Sequence, residues 1–232
     1  MNPMRIKVWD APLRVFHWLL AASVVGAFIT GWLGGSLMLW HGRLGLLILG
    51  LLSFRFIWGF IGSTYARWSQ IIKAPLDIPA YIGGRWHQAG HNPLGSLSVL
   101  ALLGLLAVQV VMGLMANDDI AFRGPLYALI DRDLSSELTD VHRQIQWLLL
   151  GLILVHVAAI GFYQRVKKQA LVLAMVRGWQ EQHHPTQHSA QGGSWKASLV
   201  AIVLAGFVVF GVQEAAQWWA PKPAASTQTP NW

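Results

Sequence analysis

Apolar residues along this chain fall into long blocks, without the one-sided stripe of a surface helix or the strict alternation of a half-buried strand. Five such blocks cover 15–35, 41–62, 94–116, 145–162 and 197–212. With its flanks, each is long enough to cross a hydrocarbon core of roughly 30 Å as an α-helix. The pattern predicts an all-α transmembrane bundle, a four-helix core plus a fifth C-terminal span. Gly206 and Gly211 interrupt the fifth block and Glu214 closes it, which allows a tilted or peripheral placement. Arg5, Lys7 and Arg14 precede the first block as they would in a leader peptide. That block is too long for a signal core and no small-x-small site follows it, so a retained helix is expected.

The punctuation between blocks fixes their neighbours. The link at Gly34, Gly35 and Ser36 is so short that the first two spans must lie antiparallel and adjacent. The second connection, 63–93, holds Pro75, Pro79, Gly83, Gly84 and Pro93 among aromatic and basic residues and predicts at most short amphipathic turns. The third, 117–140, is acidic around an apolar stretch, 125–130, too short to span and expected on the surface of the bundle. The fourth ends in the polar stretch 181–193, whose His183, His184 and His188 read as solvated loop. The expected units are a core over 1–165, a loop over 166–195, a fifth span over 196–217 and a polar, disordered tail over 218–232.

Composition narrows the class. Hydrophobic residues make up 54% of the chain and charged residues only 12%, against about a quarter charged in soluble domains. A net charge of +7 would suggest nucleic acid for a soluble protein. Here its distribution matters more. With the N-terminus placed inside, the inner segments hold twelve basic residues and three acids, while the outer segments hold five basic residues and seven acids. This bias orients the protein N-in and, with five spans, C-out. Nucleic acid is not an expected partner. The absence of cysteine excludes disulfides, thiolate metal sites, iron–sulfur clusters and covalent c-type haem, so any redox centre is noncovalent.

Four of the nine histidines fall in or at the mouths of spans, where a polar ring is costly and tends to face the bundle interior. His17 lies near the inner end of span one, His41 opens span two on the outer side, and His142 and His156 share span four. The last two are fourteen residues apart, close to four turns, which places them on nearly one helix face and roughly 21 Å apart along the axis. The alternating direction of the spans then matches His17 in depth with His156, and His41 with His142. Neutral imidazoles are natural axial ligands for a low-spin haem iron, and a bis-imidazole iron has no open position for oxygen chemistry. Two b-type haems at opposite leaflets are therefore expected, with Gly26, Gly31, Gly45, Gly50, Gly104 and Gly113 leaving room beside them. Arg55 repeats the fourteen-residue step from His41, and Arg14 precedes His17 by three. Each reads either as a partner for a haem propionate or as an interfacial anchor.

These residues resemble the di-haem cytochrome b561-type family that includes the membrane cytochrome b subunits of nickel–iron hydrogenases and formate dehydrogenases. The resemblance covers about residues 7–165. It rests on Val8-Trp9-Asp10, on Arg14 to Trp18 around His17, on His41 to Gly45, on Arg55 to Gly62, on Asn92 to Gly95, and on His142 and His156. It implies two haem b groups held by His17, His41, His142 and His156, a quinone site near one membrane face, and a redox partner outside the membrane. His91 and Asn92, at the inner start of span three, are the candidates to meet a quinone carbonyl.

The function expected is electron transfer between the membrane quinone pool, menaquinone or ubiquinone, and a periplasmic redox protein. A hydrogenase, another dehydrogenase or a c-type cytochrome would fill the partner's place. No acid–base catalytic constellation is legible, so no catalytic residue is assigned. A haem-free membrane anchor would account for the spans but not for four histidines at two matched depths. A proton or metal transporter would use such histidines as relays, yet commonly carries buried carboxylates that these spans lack.

Overall fold

The computed structural model describes residues 4–120, 122–182 and 184–219. His183 and the tail beyond Trp219, for which a solvated loop and a disordered segment were expected, lie outside them. Among the described residues the order is β1 (Arg5–Lys7), α1 (Ala11–Leu33), α2 (Met38–Ile61), the short α3 (Trp68–Lys73) and α4 (Ile78–Ile82), α5 (Pro93–Met115), α6 (Arg132–Arg165), α7 (Leu171–Arg177), β2 (Trp179–Glu181) and α8 (Trp195–Trp219). Among the described residues five helices are long and apolar enough to cross a membrane: α1, α2 with the turn before it, α5, α6 and the greater part of α8. The all-α transmembrane bundle follows.

Local chemistry sets the ends. Asp10 caps α1, its Oδ1 accepting from the Leu13 backbone N–H at 2.7 Å, and Asn92 caps α5 in the same way through Gly95 N–H at 2.7 Å. Both caps satisfy donors that a helix start leaves open. Gly34 and Gly35, with φ of +62° and +56°, make the reversal between α1 and α2, a conformation a side chain would strain. Helix α6 is capped by Asp131 and runs 34 residues, about 51 Å at the helical rise. It therefore begins well before the apolar block starting at 145, because the acidic segment 132–144 continues the helix beyond the hydrocarbon layer.

Helix α1 packs on α2, α5 on α6 and on α2, and α8 on the other side of α2. The fully buried Ala201 and the nearly buried Ala205 of α8 occupy one face, four residues apart. A Cβ at Gly50 of α2 would lie 3.2 Å from Val209 of α8, so the fifth span joins the bundle through small residues. Outward faces carry exposed apolar side chains such as Val25, Ile29, Leu154 and Val203, as lipid contact requires.

One end of the bundle is closed by chain that the sequence reads as loop. Strand β1 pairs antiparallel with β2, Ile6 opposite Gln180. Gly178 O, after α7, accepts from Val8 N and Trp9 N at 2.8 and 3.2 Å. Beyond β2, Ala190 N donates to Lys7 O at 2.7 Å, Tyr65 donates to His188 O at 2.6 Å, and His184 stacks on His87 at 3.9 Å between ring centres. The described residues of 178–194 are thus pinned at several points to the N-terminal strand and the α2–α3 connection, while His188 and most of its neighbours stay exposed, as expected of a solvated loop. Beneath this ribbon Asp10 Oδ2 accepts from Trp58 Nε1 at 3.1 Å and from the Ser63 hydroxyl, tying the start of α1 to the end of α2. Asp10→Ala removes a cap and orphans the Trp58 and Ser63 donors. It should cost about 2–4 kcal/mol, read as a lower midpoint in thermal or denaturant unfolding with the isosteric Asp10→Asn less affected.

Candidate haem-binding site

The four span histidines lie toward two ends of the bundle, with His41 beside His142 and His17 within electrostatic range of His156. At the end far from the ribbon, the rings of His41 on α2 and His142 on α6 have centroids 6.1 Å apart and planes at 88°. The Nδ1 of His41 is 2.9 Å from Ala27 O on α1, and the Nδ1 of His142 is 2.9 Å from Gln109 O on α5. Carbonyls only accept, so each Nδ1 carries its proton and each Nε2 is left with a free lone pair. This is the state in which an imidazole ligates a metal, oriented by a second hydrogen bond. The Gln109 side chain adds a bond from Nε2 to His142 O at 2.8 Å.

Between these rings lies a cavity of about 750 Å³. Glycines shape it. A Cβ at Gly31 would come within 3.0 Å of the His41 ring, one at Gly113 within 3.2 Å of His142, and one at Gly45 would project into open space. A metal–imidazole bond is about 2 Å, and each bonded nitrogen lies roughly 1 Å from its ring centre, so two imidazoles sharing an iron have centroids roughly 6 Å apart. The separation, the tautomers and the glycine-lined cavity all fit a haem between His41 and His142.

At the ribbon end His17 on α1 and His156 on α6 lie within electrostatic range of each other. His17 Nδ1 is buried without a hydrogen-bond partner among the described residues, as are Arg55 Nη1 and Ser96 Oγ. His156 Nδ1 has a long contact, 3.4 Å, to Ser98 Oγ. Arg55 is only 3% exposed, its guanidinium 4.5 Å over the Trp68 ring and within range of Asp10. Arg14 is turned toward α7, where its Nη1 donates to Val176 O, and it lines a shallow groove with the exposed Val15, Trp18 and Leu19. His91 packs against Trp9, ring centres 4.6 Å apart and planes tilted by 53°. Burial first, then Arg55 and the His156 and His17 imidazoles, hold it down to about 3, so it is a neutral hydrogen-bonding group at physiological pH. Asn92 turns its Nδ2 to Tyr81 Oη at 3.4 Å. Among the described residues no group of three or more His, Asp or Glu is placed to hold a bare metal ion.

Sequence reasoning missed Gln109 and Ala27. Gln109 carried a signal, a glutamine among the apolar residues of the third span. Ala27 carried none, because it acts through its carbonyl.

Residues 8–178 match the family model described as prokaryotic cytochrome b561. The chain belongs to that family. This cytochrome is similar to the probable Ni/Fe-hydrogenase B-type cytochrome subunit of Azotobacter vinelandii, 27% identical over 75% of this chain and 88% of the relative. The probable subunits of the same description from Azotobacter chroococcum mcd 1, 25% identical over 75% and 88%, and from Rhizobium leguminosarum bv. viciae, 22% identical over 75% and 87%, are comparable. No solved structure matches. Family and fold together make it a multi-pass, haem-binding cytochrome of electron transfer in a bacterial inner membrane. Enlarging Gly113 to Leu should displace the His142 ring and lower the haem content of the purified protein. The check is Soret absorbance per mole of chain, with helicity by circular dichroism unchanged.

Proposed function

We propose that this cytochrome passes electrons across the inner membrane through two bis-histidine b haems, one between His41 and His142 at the periplasmic side, the other between His17 and His156 at the cytoplasmic side. The observation that carries the proposal is the first pair, with a 6.1 Å ring separation and both Nδ1 atoms committed to main-chain carbonyls. A bis-imidazole iron supplies reversible one-electron chemistry with no position open to oxygen. The protein's part is to fix imidazole orientation, separate the two sites by roughly 21 Å along α6, and keep water out. Arg55 Nη1, buried and without a hydrogen-bond partner among the described residues, would meet a propionate of the cytoplasmic-side haem. Arg14, which caps α7, would anchor the membrane interface there.

The charge bias of the loops supports an N-in, C-out orientation, with the ribbon in the cytoplasm. In that frame His91 and Asn92 stand beside the cytoplasmic-side pair, where a menaquinone or ubiquinone carbonyl would be received. The acidic segment 117–140 faces the periplasm and would dock the redox partner. The relatives, probable Ni/Fe-hydrogenase B-type cytochrome subunits, favour a nickel–iron hydrogenase in that role.

A pyridine haemochrome assay on the purified protein tests the haem assignment. Two b haems per chain are expected. His41→Ala and His142→Ala should each lose one haem and retain the same other one, while His17→Ala and His156→Ala lose the complementary one. One haem in the wild type, or loss that does not sort by pair, defeats the assignment. Docking through the acidic segment predicts that reduction by the partner slows as salt rises from about 0.01 to 0.15 M, over which the screening length contracts from about 30 to 8 Å. A rate insensitive to ionic strength would reject it.

A further inference from the structure

The ribbon end holds a second polar cluster, which neither histidine pair uses. Tyr81 in α4 and Tyr163 near the end of α6 are joined hydroxyl to hydroxyl, and Asn92 Nδ2 donates to the Tyr81 oxygen at 3.4 Å. The orientation of the Asn92 amide is set independently, because its Oδ1 is the acceptor that caps α5. Trp86 stands edge-on to Tyr81, ring centres 6.0 Å apart, and its Nε1–H is buried without a partner among the described residues.

Position and proton count give this cluster a role. Tyr163 lies two turns beyond His156 on the same face of α6, roughly 10 Å along the axis. Asn92 directly follows His91, which is within electrostatic range of His17, His156 and Arg55. The cluster therefore links the surroundings of the cytoplasmic-side pair to the C-terminal, cytoplasmic end of α6, where Phe162 and Gln164 are exposed. A hydroxyl has one proton and two lone pairs. Two hydroxyls sharing one hydrogen bond use only one of their two protons. Whichever tyrosine donates to the other, one O–H is left over for a third group. Asn92 cannot release a proton, but a phenol can, provided another replaces it. Burial first, then the bond to Tyr163, pushes the Tyr81 hydroxyl up to about 12, so at physiological pH it is a donor and not an anion.

We propose that Tyr81 and Tyr163 form the hydroxyl pair through which protons pass between the cytoplasm and a quinone seated against Asn92. This rests on the quinone reading given above. Reduction of a quinone to a quinol takes two electrons, delivered singly from reduced haem iron, and two protons. For each proton, an O–H bond forms on a quinone oxygen as the spare tyrosine O–H breaks. That tyrosine regains its proton from its partner across the shared hydrogen bond, and water reprotonates the partner. Both tyrosines end unchanged, and quinol oxidation runs the same path in reverse.

The test uses the full-length cytochrome in lipid nanodiscs, with Tyr81→Phe and Tyr163→Phe. Three readouts are compared: fluorescence quenching of a hydroxyquinoline N-oxide quinol analogue, oxidation of the pre-reduced protein by decylubiquinone and by menadione in H₂O and D₂O, and redox-difference infrared spectra with ring-labelled tyrosine. Each variant should keep its haem absorbance and bind the analogue within about threefold of wild type. Quinone-driven oxidation should slow by about a hundredfold, within the usual range for losing a positioned proton donor, and the wild-type solvent isotope effect should change. Tyrosine bands that respond to reduction in the wild type should be missing in both variants. Unchanged rates and isotope effects overturn the inference. So does joint loss of haem and analogue binding, which would make the pair a tether between α4 and α6. If the wild type itself fails to bind the analogue while its haems are intact, the quinone reading has failed and takes this inference with it.

Discussion

A histidine ring at membrane depth must have both nitrogens accounted for, and here the first is settled by the main chain of a neighbouring helix. His41 Nδ1 is bonded to Ala27 O of α1 and His142 Nδ1 to Gln109 O of α5. In each case the residue four positions on is the glycine that makes room for the ring, Gly31 and Gly113. That spacing is not incidental. In an α-helix the carbonyl at i already accepts from the N–H at i+4, so the histidine uses the second lone pair beside a residue with no side chain to obstruct it. The same device on two helix pairs forces α1 against α2 and α5 against α6, and the cavity lies between.

Much of this was legible in the sequence, for definite reasons. Four of the five blocks became helices of nearly the expected extent, because long apolar runs have no other way to satisfy their backbone in lipid. The depth matching of the histidines followed from span direction and the fourteen-residue step. Helix α6 was underestimated, since the acidic residues 132–144 break an apolar pattern without breaking a helix that Asp131 caps. The acceptors of the histidine protons were illegible, because a carbonyl belongs to every residue alike. Only the side chain of Gln109, which donates to His142 O, left a trace, as an amide within an apolar span.

The ribbon end was read least well. Its order comes from pairing at long sequence separation, Arg5 with Glu181 and Ser63 with Gly192, which no local pattern announces. The physical reason for the closure is visible in Asp10, which is buried and satisfied by Leu13 N–H, Trp58 and Ser63 together. A carboxylate so placed needs cover from water, and the ribbon over Val8 and Trp9, both buried, provides it. Gly178 completes the joint, since a Cβ there would lie 2.7 Å from Trp9 O.

The two ends of the bundle therefore differ in electrostatic character. At the far end the imidazole Nδ1 atoms are satisfied, and among the described residues the nearby Arg43 and Arg143 are exposed. At the ribbon end a guanidinium that is 97% buried by area keeps one donor free, with the Nδ1 of His17 and the hydroxyl of Ser96 also unpaired among the described residues. Uncompensated buried donors are costly, so this end is built for something anionic or electron-rich. Under the proposed assignment, the Arg55 charge would be shared between the Asp10 carboxylate already within its range and a propionate of the nearer haem, so that a cation buried during folding is compensated only once the site is filled.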